Sequence, residues 1–165
     1  MIVCVALLSA AGPAFCPMNP KDPVKEMRLF YWRAGTHKDA IMPFYNAAED
    51  CKEKANPVLK GYLGVATMMR ARLTPNVLKK WYLFNKGKVL LERAIQSQPD
   101  NVELRFLRLS VQLELPAILD YRDLIESDRA FVMRHIDHFM HDDFDNYQYG
   151  EKMLRYLSDK DMVKE

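Results

Sequence analysis

The chain has 165 residues and a formal net charge of +2, from 24 Lys and Arg against 22 Asp and Glu. Its composition, 49% hydrophobic and 28% charged, is ordinary for a soluble globular protein, and this length suits one compact domain. The cations are spread along the chain without a basic tail or an interleaved aromatic platform, so we expect no nucleic-acid partner.

The first twenty residues resemble an export leader. Residues 1–20 carry no charged side chain, and the apolar run over residues 2–11 has the length of a signal-peptide core but cannot span a bilayer. No Lys or Arg precedes the run, which leaves a buried or loose N-terminal segment as the alternative. We predict an exported protein, periplasmic or associated with the cell envelope, with no integral membrane span.

Residues typical of helix starts and ends then divide the chain into predicted helices. Asp22-Pro23 is typical of a helix start, and Ala34-Gly35 predicts its end. Thr36 and Asp39 match a capping box that would begin a second helix, in which Pro43 either introduces a kink or marks the true start near Met42. Asn56-Pro57 predicts the start of a third helix, which continues through residue 73.

The second half of the chain continues the same pattern. The remaining predicted helices cover residues 77–97, 101–115, 122–140 and 147–157. Residues 158–165 read as a frayed, charged tail, so the predicted domain spans residues 21–157. No useful length of sequence alternates with the period of a strand, and the short connections predict antiparallel neighbours. The fold class is therefore all-α, with six to seven helices.

The C-terminal half of the predicted helix over residues 77–97 carries a repeat pattern. Gly87, Leu91, Ala94 and Pro99 alternate small and large residues before a terminating proline. Small residues let a neighbouring helix approach closely, and proline stops the helix where the chain turns. The pattern resembles the second helix of a tetratricopeptide (TPR) hairpin, over residues 57–112 and with one insertion of about ten residues before Gly87. This resemblance implies a TPR-like right-handed array of helical hairpins.

A second resemblance covers residues 28–136. Its residues are Arg28-Leu29-Phe30-Tyr31, Gly61-Tyr62, Gly64, Phe84, Gly87, Glu103 to Arg108, Gln112, Pro116 and Tyr121. Together they resemble a group of uncharacterised bacterial proteins that are exported or envelope-associated and have a TPR-like helical fold. The resemblance implies fold and compartment but no activity.

A polar stripe marks the predicted fifth helix. Arg105, Arg108 and Gln112 recur at steps of three and four, so they share one face beside the apolar positions. Two neighbouring guanidiniums predict a pocket for a carboxylate or phosphate. The structural alternative is internal pairing that ties the fifth helix to the sixth. Its candidate carboxylates are Glu103, Asp120, Asp123 and Asp128.

Two further sets of residues are candidates for binding. Tyr62 and Trp81 are large side chains that would anchor an apolar partner surface, although core packing explains aromatic residues equally well. His135, His138 and His141 recur every three residues ahead of Asp142 and Asp143, which offers donors for a metal. The alternative for the histidines is a solvated helix end that the helix dipole favours.

The sequence contains no nucleophile elbow, phosphate-binding loop or dinucleotide fingerprint, which favours a protein without catalytic activity. We predict a helical-repeat scaffold that binds a protein or peptide partner in the cell envelope, needs no cofactor, and is a monomer or weak dimer. The alternative is a small-molecule or metal-binding protein, possibly an enzyme, that uses the segment from His135 to Asp143.

Overall fold

The computed structural model describes residues 22–116 and 119–162, and this part of the chain contains helices and their connections but no strand. Its seven α-helices are α1 (Pro23–Thr36), α2 (Ile41–Asp50), α3 (Pro57–Met69), α4 (Val77–Ser97), α5 (Val102–Glu114), α6 (Ile125–His141) and α7 (Phe144–Met162). Short 3-10 turns at Lys38–Ala40 and Arg70–Leu73 precede α2 and follow α3. The all-α prediction is confirmed, whereas the predicted leader lies outside the described residues.

Side-chain caps mark where five of the helices begin. The carboxylate of Asp22 accepts a hydrogen bond from the backbone N–H three residues on, at 3.1 Å. Asn76, Asn101 and Asp143 cap α4, α5 and α7 in the same way, at 2.9, 3.0 and 2.7 Å, and Asn56 caps α3 through the amide two residues on, at 2.8 Å. Each cap satisfies a backbone donor that the first helical turn leaves unpaired.

The capping box predicted at Thr36 is wrong, whereas the alternative start near Met42 is one residue from the observed start at Ile41. Thr36 is the last residue of α1, and its hydroxyl donates to the carbonyl of Arg33 at 3.2 Å. It therefore serves the helix that precedes it rather than capping the next one. The chain turns through His37 and a 3-10 turn, and α2 begins at Ile41 with Pro43 in its first turn, where proline is tolerated.

The last two helices also differ from their predicted bounds. α6 begins at Ile125, three residues late, and α7 extends to Met162, five residues beyond its predicted end. Two ion pairs hold the added turn of α7 in place: Lys160 contacts Glu114 at 2.6 Å, and Asp161 contacts Arg129 at 2.9 Å. The predicted charged tail is therefore helical over residues 158–162.

The closest approach between helices joins α3 to α4. A Cβ built on Gly64 would lie 2.8 Å from the carbonyl oxygen of Gly87 and 2.8 Å from the amide nitrogen of Leu91. A Cβ on Gly87 would lie 2.9 Å from the amide nitrogen of Met68. The two backbones therefore touch through their glycines, with no side chain between them.

α5 lies at the centre of the packing. Its neighbours include α3, α4 and α6, and its side chains also contact α1 and α7. The largest fully buried side chains come from most of the helices and include Met27, Phe44, Tyr62, Leu91, Phe106 and Met153. Within the described ranges, no helix is long and apolar enough to cross a bilayer.

We expect Gly87→Ala to lower the free energy of unfolding by at least about 2 kcal/mol, because the new methyl group meets backbone atoms that cannot move aside. Gly35→Ala is the matched control: its methyl group has no neighbour within 4 Å, so the helix gains up to about 1 kcal/mol. Urea unfolding followed by circular dichroism measures both. Equal stabilities for the two variants would contradict the close packing of α3 on α4.

Candidate functional site

Four helices meet at a buried ion pair that we call the Arg28 cluster: Arg28, Tyr62, Glu103, Asn146 and Tyr149. Arg28 donates two hydrogen bonds to the carboxylate of Glu103, at 3.0 and 2.7 Å, and a third to the amide oxygen of Asn146 at 2.8 Å. The hydroxyl of Tyr62 donates to the same carboxylate at 2.6 Å and lies 2.8 Å from the hydroxyl of Tyr149. The guanidinium also lies 4.7 Å from the ring centre of Tyr149.

The electrostatics of this cluster favour one protonation state. Burial alone would lower the pKa of Arg28, but its hydrogen bonds to Glu103 and the charge of that carboxylate raise the pKa above its usual value. Burial, together with the charge of Glu103, raises the pKa of Tyr62 and of Tyr149 well above the usual value. The cluster therefore holds one cation, one anion and neutral phenols.

A second buried network, the Asp128 cluster, joins α4, α5 and α6. Arg108 donates to both carboxylate oxygens of Asp128, at 2.6 and 2.8 Å, and to Glu92 at 2.8 Å. Arg105 donates to Asp128 at 3.0 Å, and the hydroxyl of Tyr121 donates to Glu92. Asp128 is fully buried, and Arg108 is only 4% exposed.

Both arginines of the predicted stripe therefore bind the same carboxylate inside the protein. Asp128 is one of the four carboxylates that the structural alternative named, and both Arg105 and Arg108 bind it. Arg105 also donates to the carbonyl of Pro99 at 2.8 Å. Both guanidiniums thus hold α5 against its neighbours, and a ligand would have to displace these contacts to reach them.

The other predicted site residues separate into buried and exposed positions. Gln112 is 1% exposed, and its side-chain oxygen has no hydrogen-bond partner among the described residues. Tyr62 is fully buried in the Arg28 cluster. Trp81 is 64% exposed on α4. The structure therefore brings Arg105, Arg108 and Gln112 together on α5, and of the five predicted binding residues it places Trp81 at the surface.

Trp81 belongs to an apolar surface that we call the α4 stripe: Val77, Leu78, Trp81, Tyr82 and Val89. Their exposed fractions are 75%, 80%, 64%, 59% and 47%. At about 100° per residue, all five lie within an arc of about 140° around the helix, over a length of about 18 Å. Leu83, Phe84, Gly87 and Leu91 occupy the opposite side and face the core.

Sequence reasoning did not predict the exposure of Val77, Leu78 and Val89 beside Trp81. The pattern that marks α4 as helical also assigns its apolar residues to the core, because apolar residues are buried more often than not. A signal was present nonetheless. The first turns of α4 are apolar on two opposite sides, whereas an ordinary surface helix is apolar only on the side that faces the core. The second side of such a helix requires a neighbour or a partner.

The three histidines lie near the C-terminal end of α6. The ring of His135 stacks on Phe131 at 4.4 Å, and His138 and His141 are exposed. Among the residues whose positions are described, no group of three or more His, Cys, Asp and Glu side chains is arranged to hold a metal. Metal binding at this segment stays a prediction.

A shallow groove of about 520 Å³ lies between α6 and the last turns of α7. Leu154 and Leu157 line it together with Met133 and Met162, two adaptable side chains that are more than half exposed. One terminal nitrogen of Arg129 is buried here without a partner in the described structure.

No protein family matches this chain, and no match is found among curated proteins or solved structures. The assignment of function therefore depends on the side chains described above.

We expect Asp128→Ala to lower the free energy of unfolding by about 3–5 kcal/mol, because it leaves Arg105 and Arg108 without their shared buried carboxylate. Asp145→Ala is the control, since its pair with Lys25 lies at the surface, where solvent screening makes it weak. In a double-mutant cycle, the costs of Asp128→Leu and Arg108→Met should be strongly non-additive. Additive costs, or equal losses in the two alanine variants, would argue against a bracing role for Asp128.

We also expect the protein to lose stability above about pH 10. Burial raises the pKa of Tyr31 to about 12, and it also raises the pKa of Tyr62 and of Tyr149 well above the usual value. The unfolded chain therefore releases these protons first, so the stabilisation is complete below about pH 10 and falls as the pH rises, by about 1.4 kcal/mol per pH unit for each tyrosine.

Tyrosinate absorbance and helical circular dichroism, recorded in one alkaline titration, measure this effect. The buried tyrosines should ionise together with the loss of helix, and Tyr62→Phe should make the loss less steep. Complete tyrosinate formation in a protein that keeps its helical signal would contradict the burial of these phenols.

Proposed function

We propose that this protein is a non-enzymatic helical-repeat scaffold that binds a protein or peptide partner in the cell envelope, and that the α4 stripe is the contact surface. The observation that carries the proposal is the exposure of Val77, Leu78, Trp81 and Tyr82 on one side of one helix. Exposed apolar patches of this kind mark interaction sites, and Trp and Tyr are the residues that dominate binding energies.

The proposed scaffold is a TPR-like array of antiparallel hairpins. Its support is the small–large–small pattern of α4, in which Gly87 lies against Gly64 and both Leu91 and Ala94 are buried. Relative to that pattern, the segment before Gly87 has about ten extra residues. The first turns of α4, which carry most of the stripe, belong to this added segment.

The charged residues of the interior support a scaffold rather than a catalyst. In the Arg28 and Asp128 clusters, each guanidinium lies against a carboxylate, and each carboxylate accepts several hydrogen bonds. These pairs hold α1, α3, α4, α5, α6 and α7 in fixed register. Arg105 and Arg108 then support binding indirectly, because Arg108 holds α4 through Glu92.

The proposed compartment is the periplasm or the surface of the envelope. Its support is the apolar run over residues 2–11, which has the length and the uncharged character of an export signal.

The test replaces the stripe and a matched pair of exposed residues elsewhere. Leu78→Ser/Trp81→Ser removes two side chains of the stripe, and Leu29→Ser/Phe144→Ser removes one aliphatic and one aromatic side chain that are 55% and 72% exposed on α1 and α7. A photoreactive amino acid at position 82 then reports contact with a partner in an envelope fraction of the source cells.

We expect the adduct from position 82 to fall at least about tenfold in the stripe variant and to persist in the control, because central aromatic anchors carry most of the energy of an interface. Both variants should unfold at the same urea concentration as the unmodified chain, since all four side chains are exposed. An adduct that survives in the stripe variant would remove the α4 stripe from the proposal.

A further inference from the structure

The charges of this protein are divided very unevenly. Residues 54–91 contain eight cations and no carboxylate, so the rest of the chain carries a net charge of −6. The eight cations are Lys54, Lys60, Arg70, Arg72, Lys79, Lys80, Lys86 and Lys88. They cover the whole of α3 and the first fifteen residues of α4, which is the hairpin that presents the α4 stripe.

Two of these cations interrupt the stripe in sequence. Lys79 and Lys80 lie between Leu78 and Trp81, and the helical period places each of them about 60° beyond one edge of the apolar arc. Both are exposed, and neither forms an ion pair with another residue of the described structure. By contrast, Arg70 is engaged over the ring of Tyr45, at 4.0 Å.

We infer that the partner of this protein presents an apolar groove with an acidic rim, and that the outer side of α4 lies in this groove as a helix. The inference rests on the proposed function and specifies its partner. The stripe supplies anchors for the floor of a groove, and the flanking lysines match carboxylates on its edges. A carboxylate-free segment of this length repels basic surfaces and accelerates encounter with acidic ones.

One residue distinguishes a protein groove from a lipid surface. Asn85 lies on the line of the stripe between Trp81 and Val89, and its amide nitrogen donates to the carbonyl of Trp81 at 2.9 Å. A polar amide in the middle of an apolar strip is costly to bury in hydrocarbon, whereas a protein groove can hydrogen-bond it. The pattern therefore favours a protein over an anionic bilayer.

The test reverses charge next to the stripe in sequence and keeps the anchors Leu78 and Trp81. Lys79→Glu/Lys80→Glu is compared with Lys38→Glu/Lys152→Glu, which changes the net charge equally at exposed positions outside the basic hairpin. All variants carry the photoreactive amino acid at position 82, and the cross-linked protein is identified by mass spectrometry.

We expect the adduct to fall at least about tenfold in Lys79→Glu/Lys80→Glu and to persist in the control. It should also fall when sodium chloride is raised from about 0.05 to about 0.5 M, and the cross-linked segment should contain more Asp and Glu than Lys and Arg. An adduct that is lost in Leu78→Ser/Trp81→Ser but unchanged by charge reversal overturns the acidic rim and leaves the proposed function intact. Loss in neither variant overturns both.

Other occupants of the stripe give different products in the same experiment. Cross-links to residues 1–21 of the same chain, or to a second copy, overturn the inference. Flotation with vesicles of phosphatidylcholine and phosphatidylglycerol in equal parts tests the bilayer. Vesicle binding that both stripe and charge-reversal variants abolish, without a protein adduct, would assign the surface to anionic lipid instead.

Discussion

The structure depends on the pairing of opposite charges that α5 buries on its two sides. Glu103 faces α1, α3 and α7, where Arg28 and Tyr62 bind it, and Arg108 faces α4 and α6, where Glu92 and Asp128 bind it. A buried ion without its partner costs several kcal/mol, so these helices can pack only in the register that brings each guanidinium to its carboxylate. Hydrophobic burial draws the helices together, and the ion pairs select one arrangement among the many that bury similar area.

The residues that stabilise the protein are therefore different from those on its exposed apolar surface. The polar residues that sequence reasoning assigned to ligand recognition, Arg105 and Arg108, are engaged in the interior. The surface opposite the core on α4 carries apolar side chains that no described part of the chain covers to any large extent. Changes on that surface can therefore alter a partner without disturbing the fold, since the side chains involved contribute little to the core.

The sequence predicts helices where local chemistry decides the outcome. Asp22 and Asn56 cap their helices at the predicted starts, because a side-chain oxygen before an apolar period satisfies the first free backbone amides. The cap predicted at Thr36 is wrong because its hydroxyl donates to a carbonyl of the preceding helical turn, and the local sequence allows either bond. The site is harder to predict. The pair of Arg28 and Glu103 joins residues 75 positions apart, and the exposure of Trp81 depends on how far α4 extends past its neighbours. Neither this ion pair nor the exposure of Trp81 is marked by a periodic pattern in the sequence.

The contact between Gly64 and Gly87 has a mechanical consequence. Because backbone meets backbone there, the α3–α4 hairpin has no intervening side chain whose rotation would let the helices slide or tilt. The early turns of α4 are therefore held as a stiff arm, between the capped start at Asn76 and the glycine contact at Gly87. A stiff arm loses little conformational entropy when it is captured, so affinity gained by its side chains is retained rather than offset by ordering.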